Sequence, residues 1–449
     1  MFVVTITLML FGFPVALTLG GTAVLFALLG SSMDAFSIAL LGGLPSRFVG
    51  IMLNEVLVAV PLFVFMGVTL ERSRIADQLL TTMALLFGRV RGGLGFSVIV
   101  VGMLLAASTG IAGAAVVTMG LISLPTMLKA GYNRRLACGV VCASGTLGQI
   151  VPPSIALVLL ADLLQGANTR AHLAAGNYAP DPVSVVDLFA GAFVPGLLLV
   201  LLYLGWQCWV ALTQPESSPA LMQTDADGAT WVRVVTVMLP PLMLILAVLG
   251  SILAGVATAT ESAAVGAVGA LVLAAGRGQL DRHTLQEIII TATKITSMVF
   301  MILLGASVFA LVFRGFGGDQ IVGRLLSDLP GGAYGALFVV MALIFVLGFF
   351  LDFVEIIFIV VPIVGPILLS MGIDPIWLGV LIAINVQCSF LTPPFGFSLF
   401  YLRGVAPPSI VTADIYRGIV PFVILQLIAL TIVAMYPPLA TWLPTVMFG

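Results

Sequence analysis

Apolar residues fill this chain in runs far longer than a soluble helix or strand needs, and polar residues gather in short breaks between them. Runs of about 18 or more such residues can each cross the hydrocarbon core of a bilayer. The weak alternation of short segments that marks a membrane β-barrel is absent. The pattern therefore predicts an all-α polytopic membrane protein. Spans are expected at about 2–30, 51–70, 188–212, 233–253, 256–275, 296–313 and 419–443. Short amphipathic arms are expected at about 73–88 and 316–329. Two further stretches, about 94–128 and 333–369, are apolar for about 35 residues, where one crossing needs about 20. Their centres are Ser108-Thr109-Gly110-Ile111-Ala112-Gly113 and Gly348-Phe349-Phe350-Leu351-Asp352-Phe353. Both read as re-entrant hairpins, which are tolerated only where the backbone is buried in protein or lines water.

Two apolar stretches, about 136–162 and 376–402, are cut by proline pairs, Pro152-Pro153 and Pro393-Pro394. Proline lacks an amide hydrogen and clashes with the preceding turn, so no helix runs smoothly through either pair. Sliding the sequence by about 241 residues superposes them. Gly148 then falls on Ser389, Val151 on Thr392, and Asp77-Gln78 lies near Asp319-Gln320. Each half reads as span, arm, hairpin, broken helix and span. An extra polar segment, about Gln165–Asp181, interrupts the first half. The expected division is a first scaffold span (1–50), a first repeat (51–212), a linker with central scaffold spans (213–295) and a second repeat (296–449). With the broken helices counted, about nine crossings and two hairpins result.

Charge orients the halves. Arg72, Arg74, Arg89, Arg91, Lys129, Arg134 and Arg135 flank the first arm and hairpin; their second-half counterparts carry only Arg314 and Arg324. The positive-inside rule opens the first hairpin to the cytoplasm and the second to the outside, an inverted repeat with a cytoplasmic N-terminus. Met1 to Gly30 has no basic start and is expected to be a first helix, not a cleaved leader.

Composition narrows function by exclusion. The chain is 61% hydrophobic and 8% charged, with net charge −2, which argues against nucleic acid. Cys138, Cys142, Cys208 and Cys388 sit in apolar runs with no completing metal ligands, and His172 and His283 lie in polar connections. No metal-centred or histidine-based catalysis is expected. An intramembrane enzyme or a pure scaffold is the rival class, and mirrored breaks suit neither.

Paired broken helices are the best sequence pointer to a midplane binding site in a secondary transporter. Freed carbonyls and helix C-termini suit cations, and helix N-termini suit anions. Carbonyls near Gly145, Gly148, Val151 and Pro153, with Thr109 and Gly110 of the first hairpin, are candidate Na⁺ ligands. Ser389, Thr392 and Phe395, with Asp352 of the second hairpin, are the mirrored set. A lone Pro-Pro pair would more simply be a kink, and residues 109–113 alone read equally as a helix-packing face. Asp352 can ligate a cation, hydrogen-bond substrate or cap a half-helix, with Glu355 one turn on. Thr109, Ser144, Pro152, Asp352, Glu355, Asn385 and Pro393 are the candidate substrate contacts, with Gln387 beside them; packing hydrogen bonds explain Ser144, Asn385 and Gln387 equally well. Glu55 is expected to begin its span, and Asp162 and Glu261 to lie near span ends.

Ser108-Thr109-Gly110, Pro125, Gly131-Tyr132 and the run Ala143 to Ser154 resemble the large membrane subunit of TRAP transporters (DctM/SiaM type). Gly12-Phe13-Pro14-Val15-Ala16, Thr260-Glu261-Ser262-Ala263-Ala264 and Leu391-Thr392-Pro393-Pro394-Phe395-Gly396 extend the resemblance over nearly the whole chain. It implies an elevator-type carrier in the bacterial inner membrane that imports an organic acid by Na⁺ symport. Its partners would be a small membrane subunit and a periplasmic substrate-binding protein. It also places family Na⁺ positions on Gly148, Val151 and Pro153, and on Ser389, Thr392 and Phe395. Thr109 matches the first serine of the family's Ser-Gly-Ser-Ser hairpin tip; here Ile111-Ala112 follow, so two hydroxyls are missing and backbone carbonyls would substitute. The Leu351–Ile356 stretch is similar to a branch labelled for mannitol or chloroaromatic compounds, whose members resemble carriers of small 2-oxo or hydroxy carboxylates. A self-sufficient Na⁺/dicarboxylate carrier is the alternative within the same architecture.

Overall fold

A computed structural model of the chain describes residues 1–87, 90–109, 112–220 and 229–448. Those residues are helical and contain no strand. Helices α1 (Phe2–Leu10) and α2 (Val15–Ser32) replace the single first helix expected over 2–30. The break falls where Gly12 takes a left-handed φ of 84° and Pro14 cannot continue a helix. Then come a 3₁₀ segment (Ile38–Gly43) running into α3 (Leu44–Met52), and α4 (Glu55–Arg72), with Ile38–Met52 bent by 53° from α4. Asn54 caps α4 by accepting from the Val56 amide, so Glu55 does begin its span. The first arm is α5 (Ile75–Phe87).

The first long apolar stretch folds as a pair, α6 (Gly93–Thr109) and α7 (Ala112–Lys129). The first broken helix is α8 (Arg134–Thr146), one 3₁₀ turn at Leu147–Gln149, and α9 (Ile155–Ala174). The helix continues well into the expected polar segment 165–181, so only residues 175–184 connect to α10 (Val185–Thr213). Asp162 therefore lies in the middle of α9 rather than at a span end, where its carboxylate accepts from Asn54 Nδ2 at 2.7 Å.

Central helices α11 (Ala229–Leu253) and α12 (Ala259–Gly276) precede α13 (Arg282–Gly315). Thr258 and Glu261 form a capping box that starts α12, the end position expected for Glu261. α13 has 34 residues, a rod of about 50 Å that outreaches a bilayer core of about 30 Å. The second half continues with the arm α14 (Gly318–Ser327), the pair α15 (Gly332–Leu347) and α16 (Phe353–Ser370), and the second broken helix α17 (Pro375–Leu391) and α18 (Phe397–Val405). Helices α19 (Thr412–Met435) and α20 (Pro438–Phe448) complete it. Eight helices are long and apolar enough to cross a membrane, or ten if two bent pairs count as spans. That set includes the hairpin arms α7 and α16 and omits both broken helices: α8, α17 and α18 are shorter than 18 residues, and α9, though 20 residues long, carries Asp162, Arg170 and further polar residues.

Packing crosses between the halves. Each broken helix starts against its own hairpin, α8 on α6 and α7, and α17 on α15. Each then finishes against the other hairpin, α9 on α16 and α18 on α7. α8 also crosses α19 closely. A Cβ at Gly139 would lie 2.8 Å from the Gly418 carbonyl carbon, and one at Gly418 would lie 2.8 Å from that of Arg135. Only glycine at both positions lets the two backbones approach this far. A second group contains α2, α4, α12 and α13, with α13 on α2 and α4, and α12 on α4.

Candidate functional site

In a continuous helix the amides of residues 152 and 153 would bond the carbonyls of Gly148 and Gln149. Proline has no amide to give, so both carbonyls lose that partner. The Gln149 carbonyl is covered instead by Ser154 Oγ at 3.1 Å. The same arithmetic holds at the second break, where Pro393 and Pro394 orphan the carbonyls of Ser389 and Phe390. Here Ser398 Oγ covers Phe390 at 3.1 Å, and the Thr392 amide turns back to Ser389 at 3.1 Å. At each break, then, a serine hydroxyl satisfies the carbonyl opposite the second proline. Gly148 and Ser389, the candidate cation ligands, are the carbonyls opposite the first. Both Pro-Pro peptide bonds are cis.

Helix polarity adds to this arrangement. α8 and α17 end at the breaks with their partly negative C-termini, while α9 and α18 begin there with partly positive N-termini. The breaks are neighbours. The 3₁₀ turn of the first touches α17, and Cys142 Sγ of α8 lies 3.8 Å from the Ser398 carbonyl. Thr392 Oγ1 donates to the Cys388 carbonyl at 2.7 Å, which leaves its oxygen lone pairs free to accept or to ligate. Access differs between the two. Gly148, Pro152 and Pro153 are buried and Val151 half-buried, whereas Thr392 and Pro393 are half-buried and Phe395 is 45% exposed.

The hairpins reach the broken helices through glycine. A Cβ at Gly102 of α6 would lie 2.5 Å from Ser144 Cβ, and one at Gly348, at the end of α15, would lie 2.5 Å from Ser389 Cβ. Beyond Gly348, the Phe350 ring stands 5.3 Å from that of Phe395, so the second hairpin tip rests on the second break. Of the expected first tip, Gly110 and Ile111 lie outside the described residues; Thr109 ends α6, and its side chain is likewise outside them.

Asp352 and Glu355 are brought together as a capping box at the start of α16. Asp352 Oδ1 accepts from the Phe353 amide and Glu355 Oε2 from the Asp352 amide at 2.9 Å. Both carboxylates are thus engaged with the tip's own backbone. Ser144 Oγ donates to the Val140 carbonyl at 2.6 Å and Asn385 Nδ2 to the Met341 carbonyl at 2.7 Å, so these two make packing bonds. Sequence reasoning passed over the side chain of Gln149. Among the described residues its amide is buried beside the first break with no hydrogen-bond partner, while that of Gln387, buried before the second, faces the Tyr203 hydroxyl. Buried unpaired amides are uncommon and point to water or ligand. A glutamine within an otherwise small and apolar run was the signal available.

The family model for the DctM component of tripartite ATP-independent periplasmic transporters matches residues 2–439. The chain belongs to this family. The C4-dicarboxylate TRAP transporter large permease protein DctM of Vibrio cholerae is 30% identical, with 100% of this chain and 98% of the relative aligned. The ectoine/5-hydroxyectoine TRAP transporter large permease protein UehC of Ruegeria pomeroyi is 26% identical, over 100% and 99%. In fold, the chain is similar to the Alcanivorax borkumensis YdaH transporter, with a TM-score of 0.63 at 15% identity, covering 97% of this chain and 98% of that one. Neisseria gonorrhoeae MtrF follows at 0.59 and 13%, covering 89% and 84%. The protein is thus a large permease subunit of a TRAP transporter, a multi-pass protein of the bacterial inner membrane and not an enzyme. Membership implies a small membrane subunit and a periplasmic binding protein as partners.

Proposed function

We propose that this DctM-type permease imports an organic acid by Na⁺ symport, receiving it from a periplasmic binding protein. One observation carries the reading: two neighbouring broken helices each hold a carbonyl, Gly148 or Ser389, opposite a proline that cannot donate to it. Carbonyls at helix C-termini ligate cations, Gly148 as a carbonyl opposite proline and Ser389 through the lone pair that its bond from the Thr392 amide leaves, and the N-termini of α9 and α18 would meet a carboxylate between them. In this reading Val151, Pro153, Thr392 and Phe395 complete the two Na⁺ sites. No Lys or Arg lies in either hairpin core, so Na⁺ supplies the countercharge. The substrate class is a small 2-oxo or hydroxy carboxylate. The hairpins and broken helices move as one body against the group around α2, α4, α12 and α13, with the arms α5 and α14 between them.

Reconstitution in liposomes, with and without the small subunit and binding protein, tests this. Uptake that needs Na⁺ and both partners is expected. Uptake without Na⁺ would overturn the coupling, and uptake by this chain alone would make it a self-sufficient carrier. Thr392→Val should weaken Na⁺ dependence; unchanged dependence removes its side chain from the site.

A further inference from the structure

Far from the breaks, three arginines from separate parts of the chain face one cavity of about 420 Å³. Arg47 comes from α3, Arg170 from the C-terminal part of α9 and Arg314 from the last turn of α13. Asn54, Asp162 and Ser307 share its wall. The guanidinium groups are close enough for Arg170 to feel the charge of both others, with Asp319 acting on it in the opposite sense. Such a cluster repels itself and persists only where something compensates. The protein supplies little. Arg314 pairs with Asp319 at 3.5 Å, and the Asp162 carboxylate is engaged by Asn54 at 2.7 Å. Among the described residues, Arg47 and Arg170 make no ion pair within 4.0 Å, and Arg170 Nε is buried with no hydrogen-bond partner.

Membrane topology does not account for the cluster. The cavity lies by Asn54, at the opposite end of α4 from Arg72 and Arg74. On the charge rule that end faces outside, where arginines are disfavoured. The walls also matter. α3, α4 and α13 form one side and α9 and α16 the other, so the cavity sits on the seam between the two packed groups.

We propose that this cavity is a binding site for a carboxylate anion on the outer side, separate from the breaks, where the cargo is held on its way in. The role as a way-station rests on the transport reading above; the anion site does not. Guanidinium forks bind carboxylate bidentately, and Arg47 and Arg170 have donors to offer. Asp162, held by Asn54, accepts a hydrogen bond from a hydroxyl on the same molecule, which favours hydroxy acids.

The test is arginine labelling with phenylglyoxal on the full chain in lipid nanodiscs without Na⁺, read residue by residue by mass spectrometry. The probes are malate and lactate, with uncharged lactamide as control. At about ten times the Kd of a binding probe, labelling of Arg47 and Arg170 should slow about tenfold, while exposed Arg282 is unaffected. In Arg170→Gln, protection of Arg47 should fall below about twofold. Should that variant fail to fold, the wild-type labelling alone decides. Equal labelling with malate, lactate and lactamide overturns the proposal, as does full protection of Arg47 in Arg170→Gln. Protection together with Na⁺-independent uptake would sustain this site while removing the Na⁺ role of the breaks.

Discussion

Replacing Gly348 with alanine probes the contact between the second hairpin tip and the second break. Gly348 has φ −66° and ψ −6°, ordinary right-handed values, so alanine meets no backbone penalty and the effect is steric. The new methyl carbon would lie 2.5 Å from Ser389 Cβ and nearer still to its Oγ. Carbon atoms rest about 3.5–4.0 Å apart, so tip and α17 must separate by about 1 Å. Rotating the hydroxyl relieves Oγ but not Cβ, which is fixed to the helix. Overpacking of this kind costs about 1–3 kcal/mol. Ser389→Gly removes the obstacle and keeps the backbone carbonyl in place. Alone it costs about 0.5 kcal/mol in helix propensity relative to serine, plus the hydroxyl's 2.8 Å bond to the Val386 carbonyl. Those separate costs cancel in a double-mutant cycle, leaving a favourable coupling of about 1–3 kcal/mol. Denaturant unfolding of the four proteins in one detergent measures it. The Na⁺ concentration at half-maximal uptake should rise in Gly348→Ala and return in the double variant. Strictly additive stabilities would falsify the contact.

Ser154→Ala and Ser398→Ala should each destabilise by about 1–3 kcal/mol, because each strips the hydroxyl from a carbonyl that no amide can reach; equal unfolding midpoints for wild type and either variant would count against that role. Gly139→Ala or Gly418→Ala drives a methyl group into the facing backbone and should cost at least as much as Gly348→Ala in the same unfolding assay. Asp352→Ala should cost about 0.5–2 kcal/mol as a lost cap, and Asp352→Asn much less; uptake lost in the stable Asp352→Asn variant would show a role beyond capping. Outside the membrane, Asp281 caps α13, and hydrogen bonds from Thr284 hold its carboxyl below the usual range. A lowered carboxyl stabilises above its unfolded pKa and ceases to as pH falls through the folded value. Hydrogen-exchange protection at the Thr284 amide should therefore persist at neutral pH and drop only below about pH 4.

Local rules made much of this molecule readable in advance. Proline chemistry located both breaks, the glycine and the carboxylate at the centre of the second long apolar stretch located its turn between α15 and α16, and run length separated spans from arms. The same rules placed Glu55 at the start of its span and Glu261 near the end of its own, where the structure has the caps Asn54 and Thr258. What escaped depends on distance along the chain. Ser154 and Ser398 read as ordinary hydroxyls until the fold aims them at carbonyls five and eight residues away. Asp162 looked like an end residue because its partner, Asn54, is 108 positions earlier. Arg47, Arg170 and Arg314 form no motif, since three different helices bring them to one cavity. Gly139 and Gly418 carry no mark that distinguishes them from the chain's other glycines. Only the crossing of α8 and α19 gives them a purpose.

The crossed packing of the halves also sets a timetable for synthesis. α7 rests on α18, and α9 on α16, so helices made early lie against helices made near the end. At roughly 5–20 residues per second, α7 waits some tens of seconds in the membrane before α18 exists. Until then the face of α7 that carries Gly113 and Gly120 lacks Tyr401 and Leu402, the α18 side chains packed against it. That interval is when an insertase or chaperone would be needed, and when truncated chains would be open to membrane proteases. A gene cut between the halves should therefore yield two fragments that are unstable apart and recover only when made together.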